Sequence, residues 1–144
     1  VDRIPVTLLT GFLGAGKTTL LNHWMRQPGM AGVAVLVNEF GAVGIDHHLV
    51  DAVSDQMLLL DSGCLCCTIR GDLVATLEDA IRRRDNGRIK AFDRVVIETT
   101  GLADPAPVLH TIMYHPYLML QFQEFLLQTI LQVEGLNCFL QSFA

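Results

Sequence analysis

The chain has 144 residues, 51% of them hydrophobic and 17% charged, which suits one globular domain with a real core and excludes a disordered chain. Its net charge of −5, with lysine only at positions 17 and 90, excludes a nucleic-acid binder built on phosphate neutralisation. No apolar run approaches the ~20 residues of a membrane span and no secretory signal opens the chain, so a cytoplasmic protein forming a single domain over residues 1–144 is expected.

Ile4-Pro5-Val6-Thr7-Leu8-Leu9-Thr10 is an apolar run of strand length. It leads straight into Gly11-Phe12-Leu13-Gly14-Ala15-Gly16-Lys17-Thr18, the pattern G-x-x-x-x-G-K-T. Leu20, Leu21, Trp24 and Met25 then recur at helical spacing until Pro28-Gly29 stops the helix. Strand, glycine loop and helix in that order make a phosphate cradle; the bare pattern alone could be a Gly-rich turn. Glycines let the backbone curl so that its N–H groups face anionic oxygens, and the helix N-terminus adds its positive end. Lys17 is placed to reach the β- and γ-phosphates, the Thr18 hydroxyl to ligate Mg²⁺, and Thr19 to touch the α-phosphate.

Val33-Ala34-Val35-Leu36-Val37 is a second strand run, ending at Asn38-Glu39, and Met57–Leu60 a third, leading into Asp61-Ser62-Gly63. Asp72 reads as the N-cap of a helix whose apolar face is Leu73, Val74, Leu77 and Ile81. Arg82-Arg83-Arg84, with Arg88 and Lys90, reads as cations solvated at that helix's C-terminus. Val95-Val96-Ile97 is another strand, ending at Glu98. Beyond Tyr114, residues Leu118, Phe122, Phe125, Leu126 and Ile130 fit an apolar helix face, so 115–144 is expected to be a helical tail. His23, His110, His115 and Cys138 give no clustered signal and read as structural.

Apolar strands alternating with amphipathic helices predict an α/β fold with a mainly parallel sheet and helices on both faces. Ligands of such sheets bind beyond the carboxyl ends of the strands, and Thr10, Glu39, Asp61 and Glu98 all read as strand-end residues near the glycine loop. Glu98 is the expected carboxylate beside Mg²⁺. Asp46, in the loop after the second strand, is a further candidate for the metal or its water.

Cys64-Leu65-Cys66-Cys67 crowds three soft ligands into four residues, unlike a disulfide framework. In an extended segment Cys64 and Cys66 share a face and Cys67 points away. Cys64 and Cys66 are therefore the expected principal metal pair, with Cys67 secondary. Glu39, His47, His48, water or a client protein's ligand would complete the site. Thiolates select Zn²⁺ or Cu⁺, with Co²⁺ and Ni²⁺ also compatible.

Four segments together carry a family likeness: Gly11 to Thr19 as G-F-L-G-A-G-K-T-T, Asn38-Glu39-Phe40-Gly41, Gly63-Cys64-Leu65-Cys66-Cys67, and Glu98-Thr99-Thr100-Gly101-Leu102-Ala103-Asp104-Pro105. In order and spacing they resemble the CobW-type GTPases, metallochaperones related to the hydrogenase- and urease-maturation GTPases, from about Ile4 to about Tyr114. The resemblance implies a P-loop NTPase fold with GTP and Mg²⁺ held by Gly11, Gly14, Ala15, Gly16, Lys17, Thr18 and Thr19. It implies a Walker B-like motif from Glu98 to Gly101, with Lys17, Thr18 and Glu98 serving catalysis and Gly101 in the nucleotide site. The cysteine motif would bind the delivered Zn²⁺ or Co²⁺, and Glu39 would lie in the segment linking the two sites. The family's guanine-reading N-K-x-D motif surrounds neither lysine, so guanine recognition is implied by the resemblance alone. The fold is accordingly expected to be incomplete at its C-terminal end and to self-associate through a sheet edge or the apolar tail.

The expected function is a GTP-hydrolysing metallochaperone that hands a metal to a client metalloprotein, with no nucleic-acid or membrane partner. Two other readings remain: a metal-binding or regulatory protein that holds nucleotide without turning it over, and a P-loop kinase acting on a small molecule. The cysteine trio has no obvious use in the kinase.

Overall fold

The computed structural model describes residues 2–11, 14–45, 50–69, 71–99, 106–129, 131–133 and 136–138. Among them the chain order is β1 (Ile4–Thr10), α1 (Lys17–Met25), β2 (Val33–Val37), β3 (Val50–Ser54), β4 (Met57–Leu60), β5 (Leu65–Thr68), α2 (Leu73–Asp85), β6 (Arg94–Glu98), α3 (Ala106–Tyr114), α4 (Leu118–Gln121), β7 (Phe122–Thr129), β8 (Leu131–Val133) and β9 (Leu136–Cys138). Seven strands form one sheet in the order β3-β4-β5-β2-β6-β1-β7, and β8 pairs with β9. The run from β5 to β7 is parallel throughout. All five residues of β2 are buried, as a continuous apolar strand in the middle of a parallel sheet requires.

Two apolar layers sandwich that sheet. On one face, Leu21 and Met25 of α1 pack with Leu9, Val35, Cys64, Cys66 and Val96. On the other, Leu77 and Ile81 of α2, Ile112 of α3 and Leu118 of α4 pack with Leu8, Leu36, Cys67 and Ile97. Each fully buried aliphatic side chain contributes roughly 1.5–3 kcal/mol. The α/β architecture with helices on both faces is thus as expected. Asp72 caps α2 by accepting the Val74 N–H at 2.9 Å. Arg82 and Arg83 in its last turn pair with Asp79. Among the described residues no helix is long and apolar enough to cross a membrane.

Two expectations are corrected. The apolar pattern after Tyr114 is helical only in α4; from Phe122 to Thr129 the chain is a strand pairing in parallel with β1, from Ile4↔Phe122 to Thr10↔Thr129. A short apolar run fits either period, and the unpaired backbone groups along the edge of β1 decide the matter in favour of the strand. The second correction concerns Asp61. Strand β4 runs antiparallel to β5, so Asp61, Ser62 and Gly63 lie at the amino ends of the parallel strands, opposite the glycine loop. Residues 46–49 and 100–105, which include Asp46, His47, His48 and Gly101, lie outside the described residues.

Candidate nucleotide and metal site

The glycine loop leaves β1 and enters α1 through Gly14 and Gly16, whose φ angles are +82° and +100°. A Cβ added at either would meet nothing within 4 Å, so glycine is needed there for backbone conformation and not for lack of space. Gly16 caps α1, no side chain caps that end, and the first turn holds no acidic residue. The free N–H groups and the positive end of the helix dipole are therefore left for an anionic ligand. Lys17 is buried, and its Nζ donates to the Gly11 carbonyl at 2.5 Å, closing the loop on itself. Ala15 is buried in the core under the loop, whereas Thr19 is exposed.

Across from Lys17, the Thr18 hydroxyl donates to Glu98 Oε1 at 3.2 Å, joining residues 80 apart in sequence. Burial pushes the Glu98 carboxyl above the usual carboxylate range, against the opposing pull of the Thr18 hydrogen bond and the Lys17 charge. A hydroxyl and a buried carboxyl in contact form a donor set that suits a hard divalent cation. Thr99 fixes this arrangement: its Oγ1 and its N–H both donate to the Leu9 carbonyl, at 3.2 and 3.0 Å, tying the end of β6 to the end of β1. The sequence gives Thr99 no role of its own; its signal is its place in the Walker B-like motif directly after Glu98.

Cys64, Cys66 and Cys67 are free and fully buried. Cys66 lies level with Val35 and Cys67 with Leu36 on the neighbouring strand. Strand alternation puts Cys64 and Cys66 under α1 and turns Cys67 to the α2 side, as the sequence pattern predicts. Burial pushes the Cys64 and Cys67 thiols up to about 12, and raises Cys66 too, aided by its neighbouring cysteines and Glu98. All three therefore stand as neutral thiols. Glu39 is exposed beyond the end of β2. Among the described residues no three His, Cys, Asp or Glu side chains gather as a ready metal cage. Thr68, two residues beyond Cys66, carries a buried hydroxyl with no hydrogen-bond partner among the described residues. The phosphate cradle and the cysteine pair do not share a rim; they share a sheet face and the helix that covers it.

Residues 5–138 match the family described as CobW/HypB/UreG, nucleotide-binding domain. The chain belongs to this family. The match passes Tyr114 and takes in β7, correcting the expectation that the CobW-type likeness ends there. Over 118 residues the chain is 46% identical to the zinc chaperone YjiA of Escherichia coli (strain K12), covering 82% of this chain and 37% of YjiA. Over 117 residues it is 42% identical to the zinc-regulated GTPase metalloprotein activator 1 of Schizosaccharomyces pombe, covering 77% of this chain and 27% of that protein. The crystal structure of the Zn(II)-bound YjiA GTPase from E. coli is similar to this fold with a TM-score of 0.70 at 44% identity, over 90% of this chain and 40% of that one. The chain thus spans less than half the length of the relatives it matches. The P-loop fold is that of a CobW-type nucleotide-binding domain, and its uncapped helix end and Thr18–Glu98 pair fit a nucleotide phosphate with Mg²⁺.

Proposed function

We propose that this chain is the GTP-binding and GTP-hydrolysing domain of a zinc chaperone that couples nucleotide state to delivery of Zn²⁺ to a client metalloprotein. The observation that carries the reading is the span of α1. Its amino end forms the phosphate cradle, and its carboxyl half covers Cys64 and Cys66. The backbone from Gly11 to Thr19 would hold the phosphates, with Lys17 neutralising the β- and γ-oxygens in place of its Gly11 contact. Thr18 and Glu98 would hold Mg²⁺, which supplies charge neutralisation at the transferring phosphoryl group when bound. Gly101, by its place in the Walker B-like motif, and Asp46, by its place in the loop after the second strand, would add to the nucleotide and Mg²⁺ contacts; both lie outside the described residues. The names of the relatives support guanine nucleotide and zinc, and free thiols suit a reducing cytoplasm.

The cargo site centres on Cys64 and Cys66, and Cys67 and Glu39 join them only after the segment rearranges. Binding Zn²⁺ there requires the neutral thiols to release protons. The test is a pair of measurements on the full chain: phosphate release from GTP, and Zn²⁺ affinity by chelator competition with a non-hydrolysable GTP analogue and with GDP. Turnover, together with a Zn²⁺ affinity that differs between the two nucleotides and falls on Cys66→Ser, is expected. Equal affinities in both nucleotide states would remove the coupling, and undiminished binding by Cys66→Ser would move the metal elsewhere.

A further inference from the structure

The β4–β5 turn is docked on the far end of the phosphate-binding helix. Ser62 Oγ donates to the carbonyl of Met25, the last residue of α1, and accepts the N–H of Cys64 at 3.3 Å. One hydroxyl thereby satisfies a carbonyl that the helix end leaves open and fixes the backbone of the first cysteine. The turn has little slack. Gly63 N–H donates to the Leu60 carbonyl at 2.8 Å, and Leu60 N–H to the Cys64 carbonyl at 2.9 Å. Gly63 sits at φ +87°, where a Cβ would lie 2.6 Å from Lys90 Nζ and 3.2 Å from the Ala31 Cβ.

From these contacts we infer that Ser62 is the positioning residue through which movement of α1 reaches Cys64. The inference rests on the coupled reading above and names the contact that performs the coupling. α1 is nine residues long, roughly 12 Å from Lys17 to Met25 at 1.5 Å per residue, so one short helix joins the phosphate cradle to the Ser62 contact. Any displacement of this helix along its axis on nucleotide exchange would load the Ser62–Met25 bond, the directional contact between its carboxyl end and the turn. The turn, tied by its own Gly63–Leu60 and Leu60–Cys64 hydrogen bonds, would carry that load on to Cys64. Packing of Leu21 and Met25 against the same cysteines holds the helix on this face but lacks the directionality of the hydrogen bond.

The experiment compares wild type, Ser62→Ala and Ser62→Thr, each titrated with Zn²⁺ in the presence of a GTP analogue and of GDP. Allosteric factors are commonly 5–150-fold. Ser62→Ala is expected to reduce the wild-type factor to within about threefold of unity while leaving Zn²⁺ affinity without nucleotide, and nucleotide affinity without Zn²⁺, within about threefold of wild type. Ser62→Thr, which keeps the hydroxyl, should restore the factor. Full coupling retained by Ser62→Ala overturns the inference alone; absence of coupling in the wild type overturns it together with the functional reading. Hydrogen exchange in the wild type gives a check that needs no variant: the Cys64 amide should change its protection between the two nucleotides, and an unchanged amide refutes the link.

Discussion

At the amino end of α1, polar groups are left for a ligand: an uncapped helix terminus, a buried lysine, and a hydroxyl hydrogen-bonded to a carboxyl. Under its carboxyl half, two cysteines on the same face are sealed in an apolar layer, with their thiols neutral and the Cys64 backbone held by a tight turn. The first region is largely organised before its ligand arrives, and binding asks chiefly that Lys17 exchange the Gly11 carbonyl for a phosphate oxygen. To take a metal the second would have to open and give up protons, so its affinity would depend on whatever changes the cost of opening. Joining a preorganised site to a sealed one by a single helix makes the sealed one the natural place for control.

The sharpest break between the regions is in their response to pH. Burial pushes the Cys64 thiol up to about 12 and raises Cys66 as well, so throughout the neutral range Zn²⁺ binding at this pair would have to displace both protons. Raising the pH favours that exchange. Zn²⁺ affinity is expected to rise about 100-fold per pH unit for two thiols, or about 10⁴-fold from pH 6 to 8, measured against a chelator of known proton dependence. The metal-free fold should respond with the opposite sign. A thiol whose value is raised on folding stabilises the fold fully below its unfolded value of 9.0, and that contribution is lost as pH climbs towards 12. A flat zinc profile would mean that the metal does not use these thiols.

At the other region the expected effect is smaller. Lys17→Ala removes a charge aimed at the phosphates and should weaken GDP binding by roughly 10- to 100-fold, the range of one charge-assisted contact. Calorimetric titration reads the loss. Alkylation rates of Cys64 and Cys66 without nucleotide should match wild type, because Lys17 contacts neither. Unaltered GDP affinity would show that the nucleotide binds away from this loop.

Much of this contrast was legible in the residues. Gly14, Gly16 and Lys17 carry the cradle because their chemistry is local: positive φ, an uncapped helix end, a reach of one side chain. The alternation of Cys64, Cys66 and Cys67 is equally local and follows from strand geometry. Strand direction was not legible, and that misplaced Asp61. Nothing in Met57–Leu60 says that it runs antiparallel to Leu65–Thr68; only a tight turn held by Gly63 and Ser62 reveals it. The tail failed for a related reason, because β7 exists by pairing with β1, and an edge distant in sequence, as in Ile4↔Phe122, leaves no mark on local periodicity. The sealing of the cysteines is likewise collective, set by helix α1 and the neighbouring strands and by nothing within Cys64-Leu65-Cys66-Cys67.

The smallest effect probes whether the rim depends on the strand ends that frame it. Thr99→Val keeps the shape and removes one of the two hydrogen bonds to the Leu9 carbonyl, while the Thr99 N–H still satisfies that oxygen. Because the acceptor is not orphaned, the cost should be that of one neutral hydrogen bond, about 1 kcal/mol. For a domain of this size that lowers Tm by about 4 °C, a shift thermal unfolding followed by circular dichroism resolves. The loosened end of β6 carries Glu98, so the Mg²⁺ concentration needed to saturate GDP binding should rise by a few-fold, while nucleotide-free Zn²⁺ affinity stays at the wild-type value. A loss of Zn²⁺ affinity in this variant, with the Mg²⁺ requirement unmoved, would mean that the strand ends serve the cysteines and not the rim, reversing the division of labour along α1.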